Sequence, residues 1–210
     1  MNWVPKERTI FSVVECAWNF QTSNPDIFQQ GKVEVDPALR NLILKVTGAK
    51  IALREDANLR LPGYLLKKRG IAEYDIVLSR SITYCWKRFT LVKELCHILT
   101  DDGSVYAKNA TEQIAHALVM RNAFNAIAAL NSEEFCFLLA IELLIPLQRR
   151  TEIQAKIKAG ETDFNIANSL KIPEWIIHFY YKRTPFSNTT DAIRLAFDYH
   201  MVDAPPAVQE

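Results

Sequence analysis

The chain has 210 residues, 49% apolar and 23% charged, which is enough to bury a core without disulfide or metal staples. Lys and Arg total 25 against 24 Asp and Glu, and the resulting net charge of +1 offers no global field for a nucleic acid or an anionic membrane. Four cysteines, at 16, 85, 96 and 136, form no CxxC pair. This composition argues against a secreted miniprotein, a membrane protein, a disordered chain and a basic DNA-coating protein, and favours a reducing cytoplasm as the setting.

Pro5, Lys6, Glu7 and Arg8 break any signal-peptide pattern. A short element is expected near Phe11 to Phe20, with Thr22-Ser23-Asn24-Pro25 as the loop that follows. Asp36-Pro37 reads as a helix start, with Asp as N-cap and Pro in the first turn. Leu39, Leu42, Ile43 and Val46 then supply an apolar stripe that Gly48 ends.

Lys50 to Arg54, Tyr64 to Lys68 and Tyr74 to Leu78 are short runs bounded by Asp56, Asn58, Pro62, Gly63 and Gly70. They predict a three-stranded antiparallel meander. From Phe89 onward helices are expected at about 88–100, 111–130, 132–145, 147–158, 162–170, 173–181 and 188–199, with an Ala/Pro-rich tail after Asp203. The most apolar stretch, Phe135 to Leu147, carries Glu142 and Pro146 and falls short of the roughly 20 residues that span a bilayer, so it predicts a buried helix. A small sheet followed by a run of helices is an α+β layout.

The segment Arg88 to Leu99 is the most informative. At 100° per residue, Thr90, Lys93, Glu94, His97 and Asp101 share one polar stripe while Leu91, Val92, Leu95, Cys96, Ile98 and Leu99 cover the rest. One reading is a solvated seam. The other starts from HExxH, which sets two imidazoles at i and i+4 to bind Zn²⁺ and a Glu beside them as general base. Here the five residues are Lys93-Glu94-Leu95-Cys96-His97, with Lys in the place of the first His.

Arg88-Phe89-Thr90-Leu91 before this motif, and Glu133 through Ala140, Glu142, Leu143, Leu144, Ile145 and Pro146 after it, resemble the ImmA/IrrE family of zinc metallopeptidases. The order of elements before the motif is similar too: a short helix, a strand, Pro62-Gly63, two strands and the motif helix. The resemblance spans roughly residues 36–146. It implies a zincin-like core over 1–146 with its lead-in, a helical extension over 147–203 and a flexible tail over 204–210. It marks Glu94 as general base and His97 and Glu133 as metal ligands, with a regulatory protein, of the helix-turn-helix repressor type, as substrate or partner. The chain departs from the family pattern at Lys93, at Cys136 and Phe137 in place of Ala-Asn, at Leu139 in place of Phe, and in a longer interval between His97 and Glu133.

A catalytic zinc takes three protein ligands and an open position. His97 and Glu133 supply two, and a Lys ligand must first lose its proton, against a reference pKa of about 10.4. Zinc binding is therefore expected to be weak or absent, with the Lys93 ammonium pairing Glu133 and Glu94. Among replacement ligands, Cys96 faces the apolar side and Asp101 sits at a helix stop; His116, four residues after Glu112, is the preferred extra nitrogen. Glu133 also has a structural reading, because Asn131-Ser132-Glu133-Glu134 forms a capping box in which first-turn carboxylates are favoured. His178 and His200, with aromatic residues nearby, read as core or interface histidines.

Asp163 to Ile177 reads as helix, turn, helix, with Pro173 opening the second helix. Trp175, Ile176, Ile177, Phe179 and Tyr180 make that helix too apolar to read base edges. It predicts packing or partner docking and argues against direct nucleic-acid binding, with Arg149, Arg150, Lys156 and Lys158 as a modest basic face on the preceding helix. Two functions stay open: a zinc-dependent metallo-endopeptidase, or a pseudo-peptidase in which Lys93 closes the site and the scaffold binds a regulatory protein.

Overall fold

The computed structural model describes residues 8–25, 27, 35–68, 72–100, 130–145 and 147–182, and at 147, 148, 179 and 180 it describes the backbone alone. The helices expected at 111–130 and 188–199, the tail 204–210, and the residues Asp101, His116, Pro146 and His200 lie outside the described residues. The architecture is α+β. No helix among the described residues is long and apolar enough to cross a membrane.

Helix α1 (Ile10–Ser23) opens on a capping box in which Thr9 and Ser12 bond each other's backbone N–H. It buries Ile10, Val13, Val14, Ala17 and Phe20. It also outruns the expected loop signal: Thr22 stays helical, its hydroxyl donating to the Trp18 carbonyl at 2.9 Å, and the turn comes at Asn24. Helix α2 (Val35–Thr47) begins one residue before the expected start. It ends as expected at Gly48, whose φ of +67° favours glycine. Leu39 and Ile43 face the core, whereas Val46 is 47% exposed beside Leu44 at 56%, so Val46 falls outside the buried stripe.

The sheet comprises β1 (Lys50–Asp56), β2 (Gly63–Lys67) and β3 (Glu73–Ser79) in the order β1-β3-β2. It is mixed, which corrects the antiparallel meander. β1 runs parallel to β3, with Leu53 opposite Ile76, and β2 runs antiparallel to it, with Leu65 opposite Ile76. The reason lies in composition. Tyr74, Ile76, Val77 and Leu78 make β3 apolar on both faces and all are buried, the mark of a central strand. β1, with Lys50, Arg54, Glu55 and Asp56, tolerates an edge. Residues 57–62 carry the chain past the position that β3 later fills, a span of about 10 Å at ordinary strand spacing.

Helix α3 (Tyr84–Leu99) packs on one face of the sheet, and α4 (Ser132–Leu144) packs on α3 and α1. The approach of β2 to α3 depends on Gly63, where a Cβ would stand 2.8 Å from Thr90 Cγ2 and from the Val77 carbonyl oxygen. Three helices follow: α5 (Leu147–Lys158), α6 (Asp163–Leu170) and the short α7 (Glu174–Ile176), which runs on as a π-helical turn, Ile177–Lys182.

Besides apolar packing, three polar or aromatic contacts among the described residues attach these helices to the core. Arg88 on α3 donates to the Leu170 and Lys171 carbonyls at 2.9 and 3.0 Å. Trp175 stacks between Trp86 and Phe137, with ring centroids at 5.9 and 5.5 Å. Glu142 on α4 forms a buried ion pair with Arg150 on α5.

Candidate functional site: a buried charge network on α3 and α4

The polar stripe of α3 is not solvated. Thr90, Lys93, Glu94 and His97 are 3%, 6%, 4% and 0% exposed, because α4 lies along the stripe. Charged groups taken out of water need partners of opposite sign within hydrogen-bond reach. They find them in one place. The Lys93 ammonium donates to Glu133 Oε2 at 2.9 Å and stands 3.0 Å from Glu94 Oε1. Glu133 Oε1 in turn lies 3.2 Å from His97 Nε2.

The local sequence explains how Glu133 reaches α3. Asn131 caps α4 by accepting from the Glu134 N–H at 2.9 Å, and the Glu134 carboxylate accepts from the Asn131 N–H at 3.0 Å. The capping box is formed as expected, and because Glu134 does the capping, the Glu133 side chain crosses to Lys93 and His97. It is 16% exposed, against 7% for the Lys93 side chain and 5% for Glu94, and so forms the most open edge of the network.

Burial by itself would push a lysine or histidine down and a carboxylate up. For Lys93, burial is outweighed by Glu94 and Glu133, which hold the ammonium above its ordinary range. For His97, burial is outweighed by its contacts with Cys136 and Glu133, which push it up to about 10. For Glu133, burial is outweighed by His97 and Lys93, which pull it down to about 2. Two basic groups, Lys93 and His97, thus meet two carboxyl groups, Glu94 and Glu133.

This donor set does not fit a catalytic zinc. Among the described residues the motif keeps His97 and Glu133 as ligands where three are needed, and the Lys93 amine stands 2.9 and 3.0 Å from the Glu133 and Glu94 carboxylates, where the metal would have to sit. His116, the candidate extra nitrogen, lies outside the described residues.

Other expectations resolve as follows. Cys96 is fully buried, with its thiol pushed up by burial, as expected of a core residue. Cys136 belongs to the network's lining, which the sequence reading missed: its sulfur lies 3.4 Å from Thr100 Oγ1, and its nearness helps to push His97 up. Its position three residues after Glu133, on one helical face, is the signal that would have found it. Glu142, aligned with the family's Glu, pairs with buried Arg150 rather than with the network.

The expected basic face of α5 is corrected. Arg150 is buried, and Arg149 and Lys156 both pair with Glu152, at 3.5 and 3.0 Å. His178 is not a core residue either: its side chain is 47% exposed and faces Asp163 at 3.3 Å. Ile176 and Ile177 are fully buried and Trp175 is stacked, so this segment packs inward. Compared with family models, curated proteins and solved structures, the chain matches none.

Proposed function

We propose that this chain is a pseudo-peptidase: an ImmA/IrrE-like scaffold without catalytic capacity that acts in the cytoplasm by binding a regulatory protein rather than cutting it. One observation carries the reading. Glu94, the residue marked as general base, is buried with its carboxylate 3.0 Å from the Lys93 ammonium. A general base in this chemistry must reach a water whose pKa a metal has lowered. Here the carboxylate is neutralised by a lysine, and the lysine also binds Glu133, one of the two remaining ligand residues.

The nature of the partner follows from the resemblance: a regulator of helix-turn-helix type, engaged through the protein surface. Two features support a protein partner over a nucleic acid, namely the near-zero net charge and the pairing of Arg150 with Glu142 and of Arg149 and Lys156 with the shared Glu152.

Elemental analysis of the purified chain, soaked in zinc and desalted, tests the reading. Well below one equivalent of transition metal is expected, and a full equivalent would restore zinc-dependent proteolysis as the better account. Glu94→Gln is expected to keep the protein's cellular effect. Loss of that effect in a variant that still folds would sink the non-catalytic reading.

A further inference from the structure

We infer that the Lys93 ammonium is a built-in cation that locks α3 to α4 and closes this locus to divalent metal. The inference rests on the scaffold reading for the identity of the locus and on geometry for the lock. His97 Nε2 and Glu133 Oε1 are 3.2 Å apart. The two residues that the resemblance marks as metal ligands therefore bond each other directly. The cation at the site is covalently attached: the Lys93 Nζ lies 2.9 Å from the same carboxylate and 3.0 Å from Glu94.

The lock joins two elements. Lys93, Glu94 and His97 come from α3 and Glu133 from the first turn of α4. Apolar packing of α3 on α4, through Phe89, Leu95, Phe137 and their neighbours, brings the helices together without fixing their register. The ion pairs add that register, since a buried carboxylate displaced by one helical turn would lose Lys93 and His97. A divalent ion is excluded on the same grounds, because the space between the Glu133 and Glu94 carboxylates is filled by the Lys93 amine, 2.9 and 3.0 Å from them.

Thermal melts of three full-length proteins, each with zinc or with chelator, test this. The wild type is expected to melt at the same temperature in both. Stabilisation by zinc would overturn the inference and the pseudo-peptidase reading together. Lys93→Met, which keeps the length and removes the charge, is expected to melt roughly 10 °C lower; a wild-type melt would overturn the lock and leave the pseudo-peptidase reading standing. Lys93→His supplies the imidazole at i and i+4 that a metal requires. It is expected to melt low in chelator and to rise by roughly 5–10 °C with zinc at about 100 times its Kd. A Lys93→His chain indifferent to zinc, folded or not, would overturn closure of a metal locus while leaving the lock to be judged by Lys93→Met.

Discussion

Lys93 and Glu133 are 40 residues apart in sequence and 2.9 Å apart in space, joined across the α3–α4 interface in surroundings from which water is almost excluded. At such a site the loss of one partner costs more than the pair contributes, because the survivor is left charged and buried. On the proposed pseudo-peptidase reading the same relationship ties stability to function: the contact that neutralises the proposed ligand and base residues is also the contact that sets the two helices against each other.

Glu133→Gln therefore leaves Lys93 with Glu94 alone and removes the anion beside His97. A loss of about 3–5 kcal/mol is expected, read from urea unfolding. The double variant Lys93→Met/Glu133→Gln removes both charges and should cost less than the sum of the two single changes, by about 0.5–3 kcal/mol. Strict additivity would show that the 2.9 Å contact carries no coupling.

The network also predicts a pH profile. His97 stands at about 10 in the fold against 6.5 when free, so its contribution is complete below pH 6.5 and is lost as pH rises toward 10. Glu133 stands at about 2 against 4.5, so its contribution is complete above pH 4.5 and is lost as pH falls toward 2. Both are complete between 4.5 and 6.5. The melting-temperature advantage of wild type over Glu133→Gln should be greatest in that window and shrink on either side. An advantage that holds constant down to pH 3 would show that Glu133 is not held ionised by its neighbours.

Much of this arrangement is legible in the chain. The stop at Gly48, the Asn131–Glu134 capping box, and the spacing of Lys93, Glu94 and His97 follow from local rules, and local rules suffice where the partners are three or four residues apart. Strand order is a different matter. The parallel pairing of β1 with β3 depends on β3 inserting between two strands made earlier, and its sequence trace is the apolar run Tyr74-Asp75-Ile76-Val77-Leu78, interrupted by Asp75 alone. Whether the α3 stripe faces water or α4 is equally non-local, because periodicity locates a face without saying what covers it. Cys136 and Arg150 were misplaced for that reason: each reads as an ordinary helix residue until the partner helix is known.

Gly63 is expected to be intolerant of a side chain. A Cβ there would stand 2.8 Å from Thr90 Cγ2, 2.8 Å from the Val77 carbonyl oxygen and 2.9 Å from Leu78 Cδ2. Gly63→Ala should cost about 1–3 kcal/mol by overpacking. Adding Thr90→Ser removes one of the three clashing atoms and should recover part of that loss, but not the part due to the Val77 backbone. Gly63→Ala melting with wild type would show that β2 does not press on α3 as described.

Trp175 carries the docking of the C-terminal helices. Its ring lies 5.9 Å from Trp86 at 26° and 5.5 Å from Phe137 at 22°, so a segment 40 residues past α4's first turn is bound to both helices of the charge network's core. Trp175→Ala should cost about 3 kcal/mol and loosen α6 and α7 before it unfolds the sheet. Two measurements separate that local release from a general loss of stability. Tryptic cleavage after Lys158 and Lys171, both exposed, should accelerate more than cleavage after Lys50 or Lys67 in the sheet. The remaining tryptophan emission should shift to the red as Trp86 meets water. Equal acceleration at all four lysines would mean that Trp175 stabilises the whole chain and does not act as a separate clasp, in which case the helices from Leu147 to Lys182 fold as one unit with the core.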